Sequence, residues 1–519
     1  MNNYLNIFFA KILLPILLGV ALALSFAPFA IFPLAVAAPA GLLWLWRNAL
    51  PKQAFWSGFW FGIGLFGAGV YWIFHSIHYF GGIPNLFALF TTAGLIAILA
   101  LFPAITGYLF KRYFLQATPA SFICGFPAVW VLMEWIRSWI FSGFAWLFVG
   151  YSQTGSPLKG YAAILSVYGV SLAVLITSGC LVNSIIEFKQ KNYRSLYFSL
   201  FGIVAIWLSG SLLSLIPWTS AQGRPLTVSL VQGNIPQALK WSPEHLQLSL
   251  NRYEELTQPL WGKSDLIIWP EAAIPLPFKQ ASSFLESMDE KAKKSNTTLI
   301  LGIPTEADDG RNFNNTVVTL GKNHQQYSKR RLVPFGEYLP FYQYLIGIFD
   351  KLNIPVSDIV PGKFAQSPIV VNNVKMLTAI CYEITFPELA YTNDPNLGFI
   401  LTVTNDAWFG KSSAQAQHLQ MAQMRAQELG RSVVFVSNDG ITAIISADGT
   451  IQDAAPPHQI YILTSKVQPM SGITPWMRNG MDPLLFILLC LFFTAVNSER
   501  RLKKQLANQE KTQTQMNQF

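Results

Sequence analysis

Residues 53–110 read QAFWSGFWFGIGLFGAGVYWIFHSIHYFGGIPNLFALFTTAGLIAILALFPAITGYLF, without one Asp, Glu, Lys or Arg. A membrane-spanning helix needs about 20 mostly apolar residues, so this stretch holds two, divided near Gly81, Gly82 and Pro84. Working outward, Ile12–Trp46, Gly160–Ile186, Ser195–Gly223 and Pro483–Ser498 are also free of charge. The first of these fits two tight helices turning at Pro28 and Pro33, and residues 120–141 fit another that carries Glu134 and Arg137. With 161–186, 197–217 and 483–497, about eight helices are predicted, seven of them before residue 218. The chain thus divides into a seven-helix region (1–217), a polar segment (225–467), an eighth helix (483–497) and a tail (498–519).

Composition agrees. Of 519 residues, 52% are hydrophobic and only 12% charged, about half the charged share of an ordinary soluble domain. That excludes a disordered chain and a coiled coil. The net charge of +9 suggests nucleic acid until its placement is read. Arg47 and Lys52, Lys111 and Arg112, Lys189, Lys191 and Arg194, and Arg500, Arg501, Lys503 and Lys504 fall in every second loop; Lys159 is the exception. Cytoplasmic loops collect cations, so both termini are expected in the cytoplasm and the 225–467 segment on the far side, the periplasm of a bacterium. A basic excess that marks topology leaves no case for a nucleic-acid partner.

The polar segment reads as one α/β domain. Strands are predicted at Leu226–Val231, Asp265–Trp269, Thr298–Ile303, Thr316–Leu320, Val374–Ile380, Phe399–Val403 and Val433–Val436. Helices are predicted at 279–294 and 413–429, the second with Gln417, Met421, Met424 and Glu428 on one face. Ser446–Gly449 reads as a hairpin turn. The Gln-rich tail after Glu499 is expected to fray.

Three residues of this segment could carry chemistry. Cys381 is its only cysteine and cannot form a disulfide within it. Taken alone, such a thiol is an ordinary small hydrophobe; here it ends the run Met376–Ile380, and chemistry collects at the carboxyl ends of strands. Glu271 ends Leu266-Ile-Ile-Trp-Pro-Glu271 in the same way, where partial desolvation would raise its proton affinity. By itself it would be a solvated loop carboxylate. Lys329 opens a run of three cations that would normally face solvent, but Val333-Pro-Phe-Gly336 turns the chain there. A thiolate nucleophile, a carboxylate base and an ammonium for the oxyanion form a coherent acyl-transfer set.

The wider text around these residues is specific. It includes Val231-Gln-Gly-Asn-Ile-Pro-Gln237 with Lys240-Trp241, and Trp269-Pro-Glu-Ala-Ala-Ile-Pro275. Lys329-Arg-Arg-Leu-Val-Pro-Phe-Gly-Glu-Tyr-Leu-Pro340, Ile380-Cys-Tyr-Glu383 and Thr404-Asn-Asp-Ala-Trp-Phe-Gly410 follow. In these strings the chain resembles the apolipoprotein N-acyltransferases, the membrane branch of the nitrilase, or carbon–nitrogen hydrolase, superfamily. Arg331 stands where some members carry His. The resemblance implies a periplasmic nitrilase-like αββα sandwich on a multi-pass helical base in the bacterial inner membrane. It implies Glu271 as base, Lys329 as oxyanion stabiliser and Cys381 as nucleophile, with Glu337, Tyr382 and Glu383 supporting the site. Trp241, Trp408 and Phe409 would contact lipid or substrate. The implied reaction is ping-pong. A phospholipid, phosphatidylethanolamine by expectation, acylates the thiol, and the amine of a diacylated apolipoprotein takes the acyl chain from the thioester. No metal or other cofactor is implied.

The same triad would also serve a membrane-anchored amidase acting on a small amide, and a lipoprotein transporter with a sensing domain would need no triad at all. Several residues stay outside this scheme. Phe341–Phe349 is apolar enough either to dip into lipid beside the site or to be a core helix. Glu134 and Arg137, three apart, share a helix face and are expected to pair. His75 and His78 fall near an outer loop, and His418 reads as a core residue of the 413–429 helix.

Overall fold

A computed structural model describes residues 9–334, 336–338 and 358–516. Phe341–Phe349 lies outside the described residues. The chain forms two contact units: the first runs to Tyr71 and adds Phe90–Ile216 and the chain from Asn479, and the second joins Trp72–Leu89 to Pro217–Arg478.

Helical segments occur at all eight predicted places in the described residues, but their lengths differ from the prediction. Asn85–Tyr113, Pro157–Lys189, Tyr193–Ser214 and Asp482–Met516 are long and apolar enough to cross a membrane; Pro51–Gly69 with Trp72–Phe80, bent by 55°, makes a fifth candidate. Leu34–Trp46 has 13 residues, about 20 Å of rise against a hydrocarbon core of about 30 Å. Apolar runs were continuous in sequence where the backbone is not. Pro28 and Pro33 lie in the turns before Leu34–Trp46, and π-helical turns at Phe9–Leu13 and Ser121–Gly125 precede two of the shorter helices.

Glu134 and Arg137 are both buried. The Glu134 carboxylate accepts from the Val149 N–H at 2.8 Å and from Trp130 Nε1, while Arg137 donates to the Trp146 carbonyl at 2.7 Å. Both charged groups therefore hold the irregular segment that follows their helix, where backbone polar groups need partners inside an apolar unit. Among its described residues the tail is not frayed: one helix continues from Asp482 to Met516. Residues 498–516 contain neither Gly nor Pro and are rich in Gln, Lys, Arg, Glu and Leu, all good helix formers.

The second unit carries fourteen strands among its described residues. One sheet comprises β2 (Leu226–Gln232), β3 (Leu266–Ile268), β4 (Thr298–Glu306), β5 (Phe313–Leu320), β6 (Gln326–Ser328) and β13 (Tyr461–Val467), in the order β13-β2-β3-β4-β5-β6. The other comprises β7 (Ile369–Val371), β8 (Val374–Ile380), β9 (Leu397–Thr404), β10 (Val433–Ser437), β11 (Ala443–Ile445) and β12 (Ile451–Ala454), in the order β12-β11-β10-β9-β8-β7. A two-stranded ladder of β1 (Thr219–Ala221) and β14 (Met470–Gly472) closes the segment at its ends. The centre of each sheet is parallel: β2 with β3 and β4, and β8 with β9 and β10.

Alternation along the strands makes two layers of core. Val228, Leu230, Leu266, Ile268 and Ile300 meet Met376, Ile380, Phe399, Leu401, Val403, Val434 and Val436 in one cluster between the sheets. The residues between them on the first sheet, Ile267, Trp269, Leu299, Leu301 and Ile303, pack outward against Leu250 and Tyr253 of helix Pro243–Thr257 and Leu285 and Met288 of helix Ser282–Ser295. A period of two along each strand thus assigns one face to the opposing sheet and one to a helix, which is the expected αββα order. Helix Ala414–Leu429 is buried nearly all round, because it lies against β10 and the turn after Cys381 together.

Candidate active site

Lys329 and Cys381 follow directly on strands, and Glu271 follows two residues beyond one. Glu271 comes after β3 through Trp269-Pro270, in a turn pressed close to the neighbouring strand. A Cβ built at Gly302 of β4 would stand 2.7 Å from the Glu271 Cα and 2.5 Å from the Ala272 nitrogen, so only glycine lets the turn lie there. Lys329 is the residue after β6, its N–H bound to the Asn315 carbonyl and its carbonyl to Gly362. Cys381 is the residue after β8 and has φ of +51°, a left-handed conformation that strains a non-glycine residue by roughly 1–3 kcal/mol.

The three strand ends converge. Lys329 Nζ lies 3.2 Å from Glu271 Oε1 and 2.8 Å from Glu337 Oε1. Asn315 Nδ2 bridges the same two carboxylates, at 2.7 Å from Glu271 and 3.2 Å from Glu337. The charges of Glu271 and Lys329 both act on the Cys381 thiol, which is hydrogen-bonded to the Thr404 side chain. Glu271, Lys329 and Cys381 are 6%, 1% and 8% exposed, so the cluster works in a medium where Coulomb attraction is weakly screened.

Ionisation follows from that burial. Desolvation pushes the Cys381 thiol well above its usual range and the Glu271 charge pushes it further, outweighing Lys329; at neutral pH it is S–H. Burial also opposes ionisation of Glu271, but the Lys329 ammonium, the Asn315 amide and Lys240 together outweigh it and hold the carboxyl below its ordinary value. This corrects the expectation that desolvation would leave Glu271 with a raised proton affinity: the neighbouring cations decide the sign. Burial opposes the Lys329 charge too, yet Glu271 and Glu337 carry it well above the usual lysine range.

Among the predicted supporting residues, Glu337 sits on Lys329 as described, and its second oxygen accepts from the Val333 N–H at 2.8 Å. Glu383 is wholly buried and joins two of the strand ends: it accepts from the N–H groups of Arg330 and Arg331 beside Lys329, from the Tyr327 hydroxyl, and from the Ile380 N–H beside Cys381. Tyr382 is buried with its ring edge-on to Phe386. Trp241 is 53% exposed. Trp408 and Phe409 pack on the protein itself. The Phe409 ring meets Trp72 at 4.7 Å, the Trp408 ring meets Phe80 at 5.5 Å, and Ser76 Oγ donates to the Trp408 carbonyl.

Sequence reading missed Asn315 and the role of Lys240. Lys240 is buried, donates to the Glu271 carbonyl at 3.0 Å, and has its pKa lowered by desolvation to about 8. Asn315 sits in an unremarkable Asn-Asn-Thr of β5, where nothing local distinguishes it. Lys240 was visible only as part of a motif. His75, His78 and the other histidines form no cluster with acids or thiols fit to hold a metal among the described residues.

Comparison with known proteins matches the two halves to two family models: "Apolipoprotein N-acyltransferase N-terminal domain" over residues 18–180 and "Carbon-nitrogen hydrolase" over residues 227–475. A curated apolipoprotein N-acyltransferase of Coxiella burnetii is 41% identical over 477 residues, 92% of this chain and 98% of that protein. The chain belongs to the apolipoprotein N-acyltransferase family. Namesakes from Photobacterium profundum and Methylococcus capsulatus are each 37% identical, covering 92% and 95% of this chain and 93% and 96% of their own lengths. The membership joins the observed sandwich to the apolar helices that flank it in sequence: both are parts of one acyltransferase.

Proposed function

We propose that this chain moves an acyl chain from a phospholipid, phosphatidylethanolamine in the first instance, to the N-terminal amine of a diacylglyceryl-cysteine on an apolipoprotein. The observation that carries this reading is the buried Glu271–Lys329–Cys381 cluster at three converging strand ends, in a chain of this family.

The Cys381 sulfur attacks the ester carbonyl of the lipid. Glu271 takes the thiol proton and delivers it to the departing lysophospholipid oxygen, while Lys329 faces the oxyanion. The Lys329 charge that keeps Glu271 ionised at rest turns toward the oxyanion as it forms, which lets the carboxylate hold the proton. A thioester remains. The lipoprotein amine attacks it, its surplus proton passes through Glu271 to the leaving sulfur, and an amide and a free thiol result. Exclusion of water from the cluster keeps the thioester from hydrolysing.

Both substrates are held in a bilayer by their own acyl chains, which is the reason for flanking the sandwich with apolar helices. We place the catalytic domain in the periplasm and both termini in the cytoplasm of the inner membrane, on the alternation of cations between loops. The eight helical segments serve as the membrane base. Lys329, Cys381 and Glu271 need no cofactor for this chemistry.

Detergent-solubilised protein incubated with acyl-labelled phospholipid and a diacylated lipopeptide tests the proposal. Label on the lipopeptide amine, with a transient acyl adduct on Cys381 by mass spectrometry, supports it. Hydrolysis of small amides without transfer, or full transfer by Cys381→Ser, overturns it.

A further inference from the structure

His418 has a geometry that a core histidine does not require. Its side chain is fully buried on helix Ala414–Leu429, yet both ring nitrogens meet polar partners: Nδ1 lies 3.0 Å from Asp406 Oδ1 and Nε2 lies 3.2 Å from the carbonyl oxygen of Cys381. A carbonyl only accepts, so Nε2 carries a hydrogen. The opposite tautomer would set a lone pair against that oxygen. A proton must then also lie between Nδ1 and the Asp406 carboxyl, and the two side chains act as one hydrogen-bonding unit.

The contacts continue back to the reactive atom. Thr404 Oγ1 donates to Asp406 Oδ1 at 2.8 Å, and the Thr404 side chain is hydrogen-bonded to the Cys381 thiol. The thiol and the carbonyl of one residue are thus linked through Thr404, Asp406 and His418 in a closed ring. The rings of Phe409 and Phe435 stand edge-on to His418 at 6.0 and 5.2 Å and leave it little room to turn. Cys381 needs such a hold, because its φ of +51° is not one a cysteine keeps unaided. On its other side Glu383 grips the Ile380 N–H at 2.8 Å.

We propose that His418 is a positioning residue of the nucleophile, fixing the strained Cys381 turn by donating from Nε2 to the Cys381 carbonyl, while a proton shared with the Asp406 carboxyl holds Nδ1 on the other side of the ring. The proposal rests on Cys381 being the nucleophile. Lost positioning lowers the rate of the acylation step and leaves lipid affinity alone, since His418 touches no substrate.

Two variants separate positioning from plain packing. In His418→Gln the amide nitrogen falls near Nε2 and can still donate to the Cys381 carbonyl. In His418→Asn it falls near Nδ1, reaching Asp406 but not Cys381. We expect acyl-enzyme formation within about tenfold of wild type for Gln and at least about 100-fold slower for Asn, as misplaced reacting groups generally show. KM for the phospholipid stays unchanged in both, and Cys381 alkylation by iodoacetamide follows the same order without any substrate. Equal rates for the two variants, or losses that track their Tm values alone, overturn the proposal. Should both variants fail to fold, the 15N shifts of the wild-type His418 ring serve in their place: Nε2 is expected to carry a hydrogen, and a bare Nε2 overturns the inference. If wild type itself forms no adduct on Cys381, the proposed function fails rather than the role of His418.

Discussion

Lys329 stands closer to Glu337 than to Glu271, at 2.8 Å against 3.2 Å. Its charge is therefore divided between two carboxylates, and Glu271 receives only part of it. Removing the charge of Glu337 gives Lys329 wholly to Glu271 and makes that carboxylate a poorer proton acceptor. Glu337→Gln is expected to slow acyl-enzyme formation by roughly 10- to 100-fold while leaving the thermal midpoint close to wild type. Rapid-quench counting of the Cys381 adduct measures it, and an unchanged rate refutes the division of charge.

The thiol titrates against the same two charges. Burial and Glu271 raise its pKa, and Lys329 lowers it. Glu271→Gln should thus move the pH profile of iodoacetamide alkylation to lower pH although it abolishes acyl transfer, and Lys329→Met should move it to higher pH. Shifts in the same direction for both variants would show that their charges do not reach the sulfur.

Lys240 gives the fold a pH dependence of its own. Its pKa falls from the ordinary 10.5 to about 8 on folding, so between those values the unfolded chain binds more protons than the folded one. Stability from this group rises as pH climbs from about 8 to about 10.5 and is flat on either side. Lys240→Met should remove that rise. Urea midpoints of both proteins across this range decide it, and parallel curves count against a buried ammonium.

Glu383 ties the Lys329 turn to the Cys381 turn. Glu383→Ala would leave the N–H groups of Ile380, Arg330 and Arg331 and the Tyr327 hydroxyl without their acceptor. Orphaned buried donors cost about 1–3 kcal/mol each, and refilling by water recovers part of that. A loss of at least about 3 kcal/mol in denaturant unfolding is expected, with activity lost before the fold.

Gly410 follows Trp408 and Phe409 at φ +56°, and a Cβ there would lie 2.4 Å from His75 Nε2. Gly410→Ala must displace the His75 ring as well as strain the backbone. A destabilisation of about 1–3 kcal/mol should be halved or better by pairing it with His75→Ala, a non-additivity that a double-mutant cycle reads directly.

Much of this site was legible in the chain. Apolar runs that stop at Pro270 and at Cys381 predict strand ends, and the seven expected strands all occur, β3 shorter and β4, β5 and β9 each three residues longer than expected. Helix Pro243–Thr257 and the edge strands β6, β7 and β13 were missed. Their exposed faces mix polar and apolar residues and blur the period. The apolar stretches marked the α-helices of the first unit, though not the 3-10 turn Val149–Gln153, and overstated the shorter ones, since hydropathy continues through a Pro turn that ends a helix.

The order of apolar runs, turns and cations along the chain determined that there would be apolar helices, an α/β domain, a carboxylate and a thiol each at the end of a strand, and an ammonium beside a turn. Those are local properties, written in spacing and turn chemistry. Only the tertiary structure decided that Lys329, 58 residues beyond Glu271, would reverse the effect of burial on that carboxylate, and that His418 would reach back to the Cys381 carbonyl. Desolvation and Coulomb energy depend on distance through space, and a linear sequence does not contain that distance.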